Sequence, residues 1–588
     1  MFKLFKKLKW QEWIGVIFTI GLIVLQVWLE LKLPTYMKKI TALIISPVAT
    51  QKDIWTAGGE MLGFTLASVA ASCVTGFIVA RISASFSKRL RNDIFNKIES
   101  FSLEEIKHFS TASLITRTTN DVQQVQMLLT MGTQLIIKAP VMAIWAICEM
   151  SASSWQYSVA IAVAVALLIS VLAILIVVCL PKFKKMQTLT DDINRVTREN
   201  LEGVRVVRAY NAEKFESEKF EKANEAQTKV GLFTSRTMGI LFPLLSFIMP
   251  SITVAMYLIG AILINSTTDM VAKMQTLTEI TSFSFYAMLV ISAFMMMAMI
   301  FVIVPRATVS AKRINEVLET NSKIENGSFD GQTQEKGTVE FKNVSFKYPD
   351  ADEYVLENIS FSAKKGETVA FIGSTGSGKS TLINLVPRFY DATDGEILID
   401  GKPIKEYDLH ALRNKLGYVS QKAIMFSGSV KDNIELGQDK ELSDEEIKNA
   451  LSIACGLDFV ENMPEKENSF ITQGGTNISG GQKQRLSIAR AIAKKPEILV
   501  FDDSFSALDY KTDRALRENL KTSFADATKL IIAQRIGTIK DANKIIVLSD
   551  GKIAGIGTHK ELLSSCEIYK EIALSQLSQK EIENELKW

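Results

Sequence analysis

The stretch Glu367–Val386 reads ETVAFIGSTGSGKSTLINLV. Glu367–Ile372 is a short apolar run of the kind that makes a buried strand, and the apolar residues after Thr381 suit a helix. Between them stand Gly373, Ser374, Thr375, Gly376, Ser377, Gly378, Lys379, Ser380 and Thr381. Strand, GxxxxGKS and helix in that order form a phosphate-binding loop. Its glycines let backbone N–H groups wrap phosphates at the positive end of a helix, Lys379 neutralises their outer oxygens, and Ser380 can hold Mg²⁺. The expected ligands are ATP and Mg²⁺.

Downstream, Ile498–Asp502 (ILVFD) is an apolar strand ending in a carboxylate, as the magnesium shell of such a loop requires, and Asp503 stands where a catalytic base is expected. Upstream, Val339–Phe346 reads as the domain's opening strand, preceded by a polar linker at 319–336. Residues 337–588 are thus assigned to an α/β nucleotide-binding domain.

Residues 1–318 differ in composition. Over all 588 residues 47% are hydrophobic and 22% charged, and Lys+Arg 67 nearly balances Asp+Glu 64, which argues against nucleic acid as a partner. Charge-free runs long enough for a bilayer extend over Met61–Ala80, Tyr157–Leu180, Thr237–Thr268 and Ile280–Pro305. Two interrupted runs, Trp13–Leu33 with Glu30 and Lys32, and Met127–Cys148 with Lys138, complete six spans. The connections 81–126 and 181–236 carry 7 and 12 Lys/Arg, against 3, 0 and 1 in 34–60, 149–156 and 265–279. The positive-inside rule therefore places both termini in the cytoplasm. Phe2–Trp13 is expected to be an amphipathic helix on the inner leaflet, and Lys138 to have a structural role, snorkelling or bonding a carbonyl. Pro243 and Pro250 should kink the fifth span. Aromatic and methionine side chains crowd the last two spans, among them Tyr257, Phe285, Met295 and Met299, and suit a cavity for varied apolar ligands. The five cysteines lack any CxxC pair, which excludes a zinc ribbon or disulfide framework.

Ser479-Gly480-Gly481-Gln482, lying between the two phosphate-site motifs and opening a helix, resembles the signature of the ATP-binding cassette (ABC) family. The likeness extends along the chain, since six spans followed by one cassette resemble a half-transporter of the ABC exporter type. It implies that Tyr348 stacks on adenine, that Gln421 (YVSQ) is the Q-loop glutamine sensing magnesium and the membrane half, and that Ser506–Asp509 is the D-loop. Asp502 becomes the Walker B aspartate, and Ser380, Gln421 and Asp502 the metal-holding set. Leu103–Phe109 (LEEIKHF) and Tyr210–Phe215 (YNAEKF) fall where the family has coupling helices. The family sandwiches ATP between one cassette's P-loop and the other's signature, so a second half-transporter is implied as partner, in the plasma membrane.

Two positions depart from the family pattern. Asp503 replaces the glutamate that polarises the attacking water, and Gln534 (IIAQR) replaces the switch histidine. Aspartate is shorter by about 1 Å, a misplacement that can cost on the order of a hundredfold in rate, and glutamine does not titrate. Gln473-Gly-Gly-Thr-Asn477 also replaces the usual X-loop. With Asp503 and Gln534 beside an intact signature, the chain resembles the degenerate-site subunit of a heterodimeric multidrug-type exporter, moving small amphiphilic compounds. Two alternatives stay open: a slow homodimeric exporter of lipid or peptide, and an ATP-gated regulatory or channel-like subunit.

Overall fold

The computed structural model describes residues 1–46, 48–151, 155–438 and 440–577. They form two compact units, Met1–Glu99 with Thr111–Thr320, and Ser100–Ser110 with Asn321–Trp588. The last residues of the sequence-assigned nucleotide-binding domain, 578–588, lie outside the described ones.

The first unit is helical. Among the described residues six helices are long and apolar enough to cross a bilayer: Trp10–Ile45, Gln51–Glu99, Thr111–Met150, Trp155–Glu202, Ser246–Ser266 and Met270–Glu319. The second, fourth and sixth run to 49, 48 and 50 residues, more than twice the roughly 20 that a bilayer needs. They therefore continue well past the apolar layer, as their polar ends require.

The helix that carries the first span, Trp13–Leu33, runs from Trp10 to Ile45 with Pro34 inside it. Glu30 is tolerated there because its Oε1 accepts from Lys138 Nζ at 2.8 Å, Gln26 Nε2 at 3.0 Å and Ser68 Oγ at 3.4 Å. Lys138 thus bonds a carboxylate on another span and not a nearby carbonyl, and each charge compensates the other. The amphipathic helix expected over Phe2–Trp13 is also corrected. Phe2–Phe5 forms one short helix, residues 6–9 interrupt it, and Trp10 already opens the helix of the first span. Glu12 explains the new start: its Oε2 accepts from Lys9 N at 2.9 Å, satisfying an N–H that a helix start leaves open. Lys3 and Lys7 pair with Glu319 and Asp93, each at 2.8 Å.

The helix that carries the fifth span begins just before Pro243, whereas Pro250 lies inside it without interrupting it. One helix ends at Gly239 and the next begins at Leu241, which puts Pro243 in a first turn where its missing N–H is harmless. Tyr157 stacks on Phe283 at 4.7 Å in the core of this unit. A cavity of about 550 Å³ lies between the fifth and sixth spans, lined by residues such as Met249, Thr253, Ser284, Phe285 and Met288, with no charged residue in its wall.

The second unit holds strands β1 (Val339–Phe346), β2 (Leu356–Ala363), β3 (Thr368–Gly373), β4 (Asp394–Ile399), β5 (Lys402–Pro403), β6 (Leu416–Val419), β7 (Gly428–Ser429), β8 (Phe470–Ile471), β9 (Ile498–Asp502), β10 (Thr528–Ile532), β11 (Lys544–Ser549) and β12 (Lys552–Gly557). One sheet runs β12-β11-β3-β10-β9-β6, and an antiparallel one runs β2-β1-β4-β5. Within the larger sheet β11, β3, β10, β9 and β6 are mutually parallel. Every residue of β9 and β10 is buried, as in a sheet covered on both faces. Parallel pairing points the carboxyl ends of β3, β6, β9 and β10 the same way, and that end carries the site.

Candidate functional site

Each site residue follows one of those strand ends directly. β3 ends at Gly373 and feeds the glycine loop, Gln421 lies two residues past β6, Asp502 closes β9, and Gln534 lies two past β10. A cavity of about 590 Å³ opens among them, lined by Gly373–Gly376, Gly378–Thr381, Gln421, Asp503 and Gln534. The helix Lys379–Leu385 begins in its floor. Gly376 and Gly378 hold φ of +86° and +93°, a region that strains other residues, and a side chain at Gly378 would collide with Leu356. A side chain at Gly376 would meet nothing, so the loop's mouth is open to a ligand.

Lys379 Nζ donates to Gly373 O at 2.9 Å, Ser374 O at 2.6 Å and Ser377 Oγ at 3.2 Å, so its ammonium is held inside the loop. Burial lowers its pKa, against the pull of Asp503 and Asp502. Ser380 Oγ donates to Asp502 Oδ1 at 2.9 Å. Asp502 and Asp503 are both buried. Burial raises the pKa of each carboxyl, and for Asp502 the neighbouring Asp503 charge adds to it. Two adjacent buried carboxylates beside a serine hydroxyl and the Gln421 amide are hard oxygen donors short of positive charge, which fits Mg²⁺.

The Asp503 backbone is left-handed, at φ +46°. Its Oδ2 accepts from Gln534 Nε2 at 2.7 Å, and Gln421 also bonds its carboxylate. The two residues that depart from the family pattern are thus bonded to each other. Tyr348 lies beside the loop without lining the cavity. Its hydroxyl is 3.1 Å from Thr381 Oγ1, and its ring packs edge-on against Phe346 and Tyr390. Lys107 Nζ sits 5.4 Å from the centre of that ring. Lys107 belongs to the helix Leu103–Phe109, which this unit also ties through Glu105 Oε1, accepting from Lys323 N at 3.2 Å, and a Glu104–Lys323 ion pair.

Ser479–Gln482 are not brought to this cavity. They open the helix Gly480–Ala493 with a capping box in which Gln482 N donates to Ser479 Oγ at 3.3 Å and Ser479 N donates to Gln482 Oε1 at 2.8 Å. Ser479, Gly480 and Gly481 are exposed or partly so, presenting the helix N-terminus outward. Sequence reasoning missed another wall of the cavity. Ile568, Glu571, Ile572 and Gln576 of the helix Glu567–Gln576 line it, and no motif marks them.

Two family models match, "ABC transporter transmembrane region" over residues 16–299 and "ABC transporter" over 356–506. An uncharacterized ABC transporter ATP-binding protein of Mycobacterium tuberculosis is 38% identical, over 92% of this chain and 93% of its own. An ATP-dependent lipid A-core flippase of Pseudomonas aeruginosa is 31% identical, over 84% and 80%. A bacterial Atm1-family ABC exporter solved with ATP bound shares the fold at a TM-score of 0.80 and 23% identity, covering 96% of this chain and 98% of the other. Six apolar helices, a strand–glycine loop–helix and relatives aligned over nearly the whole chain agree: this protein belongs to the ABC transporters, as an exporter-type half-transporter with membrane and ATP-binding domains in one chain.

Proposed function

We propose that the chain is one subunit of a heterodimeric ATP-driven exporter of small amphiphilic compounds, with a weakly hydrolytic P-loop site of its own and a signature that completes its partner's. The observation that carries this is the Gln534–Asp503 bond of 2.7 Å, which replaces a titrating residue and a longer base by two that move protons poorly. Gly373–Thr381 hold the phosphates and Tyr348 the adenine. Ser380, Asp502 and Gln421 would hold Mg²⁺, which when bound would offset the charge on the transferred phosphoryl group. Asp503 receives the water's proton, but Gln534 and Gln421 occupy its carboxylate and its reach is short. ATP therefore stays bound here through many turnovers of the partner's site and biases the cassettes toward association.

On the membrane side, Leu103–Phe109 acts as a coupling helix. Tyr210 and Phe215 are 80% and 67% exposed, which leaves the second coupling segment available to a partner's cassette. The uncharged 550 Å³ cavity suits an apolar or amphiphilic substrate. The Lys/Arg excess of the connections 81–126 and 181–236 puts both termini and the cassette on the cytoplasmic side. A second reading, a homodimeric lipid exporter, is favoured by the flippase relatives.

ATPase rates separate the two. The chain purified alone should hydrolyse ATP at least tenfold more slowly than with its partner, and Asp503→Glu with Gln534→His should raise the lone chain's rate by about ten- to a hundredfold. A lone wild-type chain as fast as the pair overturns the heterodimer.

A further inference from the structure

The helix Glu567–Gln576 touches the switch residue through its last side chain. Gln576 Oε1 accepts from Ile536 N at 2.8 Å, and Gln576 Nε2 donates to Gln534 O at 2.7 Å. One amide thus grips the main chain on both sides of Arg535. Ile536 opens the short helix Ile536–Ile539, so its N–H has no partner within that helix, and Gln576 supplies one. Gln534 meanwhile reaches with its own side chain to Asp503. Two hydrogen bonds in series, from Gln576 Nε2 to Gln534 O and from Gln534 Nε2 to Asp503 Oδ2, join the end of the helix Glu567–Gln576 to the carboxylate beside the P-loop.

That helix is well placed to hold such a grip. Tyr569 and Ala573 are fully buried on its inner side, and Tyr569 Oη lies 2.6 Å from His559 Nδ1 on the helix His559–Ser565. Its other side supplies Ile568, Glu571, Ile572 and Gln576 to the cavity wall. We infer that Gln576 is a positioning residue: it fixes the switch loop so that Gln534 meets Asp503, and through that loop it sets how long nucleotide is retained. This rests on the nucleotide reading of the site given above.

The test uses the full-length chain in lipid nanodiscs, with Mg·ATP as the probe. Hydrogen–deuterium exchange is followed in the peptide spanning 531–539, and the release rate of bound ATP is measured alongside. Gln576→Ala should speed exchange of that peptide by about tenfold and ATP release severalfold, since two hydrogen bonds are lost, while the unfolding midpoint stays unchanged. Gln576→Glu keeps an acceptor for Ile536 N but sets a carboxylate against Gln534 O. It should protect the Ile536 amide and still speed release. Unchanged exchange in Gln576→Ala overturns the grip, and faster exchange with unchanged release overturns the positioning role. Lys379→Ala serves as the separate control. If it binds ATP as tightly as wild type, the nucleotide reading itself fails, whatever Gln576 does.

Discussion

The P-loop side and the signature side of this one domain have been treated differently. On the P-loop side every group that binds is in place, from Gly376 with its open mouth to Lys379 and the Ser380–Asp502 pair. The groups proposed to move a proton, Asp503 and Gln534, are bonded to each other. On the signature side Ser479 and Gln482 cap the helix reciprocally. The difference makes binding and turnover separable on the proposed reading of the site. Backbone N–H groups and one lysine suffice to hold phosphates, whereas turnover depends on where two side chains end.

The comparison breaks most sharply at Lys379. Lys379→Ala should weaken Mg·ATP binding to the lone chain by on the order of a hundredfold, since it removes a charged donor from the phosphate site. Ser479→Ala should leave that affinity within about twofold and slow only the hydrolysis measured with the partner. Equal losses of affinity in both variants, by equilibrium binding, would mean that the two sides do not belong to different ATP sites.

A smaller effect sharpens the P-loop side alone. The Asp503 carboxyl has a folded-state pKa raised by burial above the ordinary value. The folded chain then keeps a proton at pH values where the unfolded chain has lost it, so stability falls as pH rises from about 4 through the raised value. Asp503→Asn removes that charge and keeps an acceptor for Gln534. It should raise the full-length chain's unfolding midpoint at pH 7 by about 2 °C and leave it nearly unchanged at pH 4. A midpoint that drops at pH 7 would show the carboxylate to be stabilising.

Legibility in the sequence followed the distance over which each feature is encoded. The P-loop, the ILVFD strand and the signature are local strings, and parallel strand pairing alone then brings Gln421, Asp503 and Gln534 to one cavity. The charge-free runs marked the spans for the same reason. The partner of Glu30 was not legible, because Lys138 is 108 residues away. The N-terminal helix misled because four lysines before an apolar run fit an inner-leaflet helix, while Glu12 starts a new helix at Trp10. The wall formed by Ile568, Glu571, Ile572 and Gln576 has no pattern of its own. It depends on the His559–Tyr569 contact that folds one helix back on the other.

A last pair of variants concerns the signature side. Ser479 is the N-cap of Gly480–Ala493, and its hydroxyl accepts from Gln482 N. Loss of such a cap costs about 1 kcal/mol. Ser479→Ala should therefore lower the unfolding midpoint by about 2–4 °C, whereas Ser479→Asp, which keeps an acceptor and adds negative charge at a helix N-terminus, should hold or raise it. The same added charge, placed where a partner's γ-phosphate is expected, should abolish hydrolysis in the pair. A variant that is stable yet inactive separates the residue's two roles, and only a signature that meets phosphate can give that result: if Ser479→Asp is stable and the pair remains active, the outward-facing helix N-terminus does not complete an ATP site.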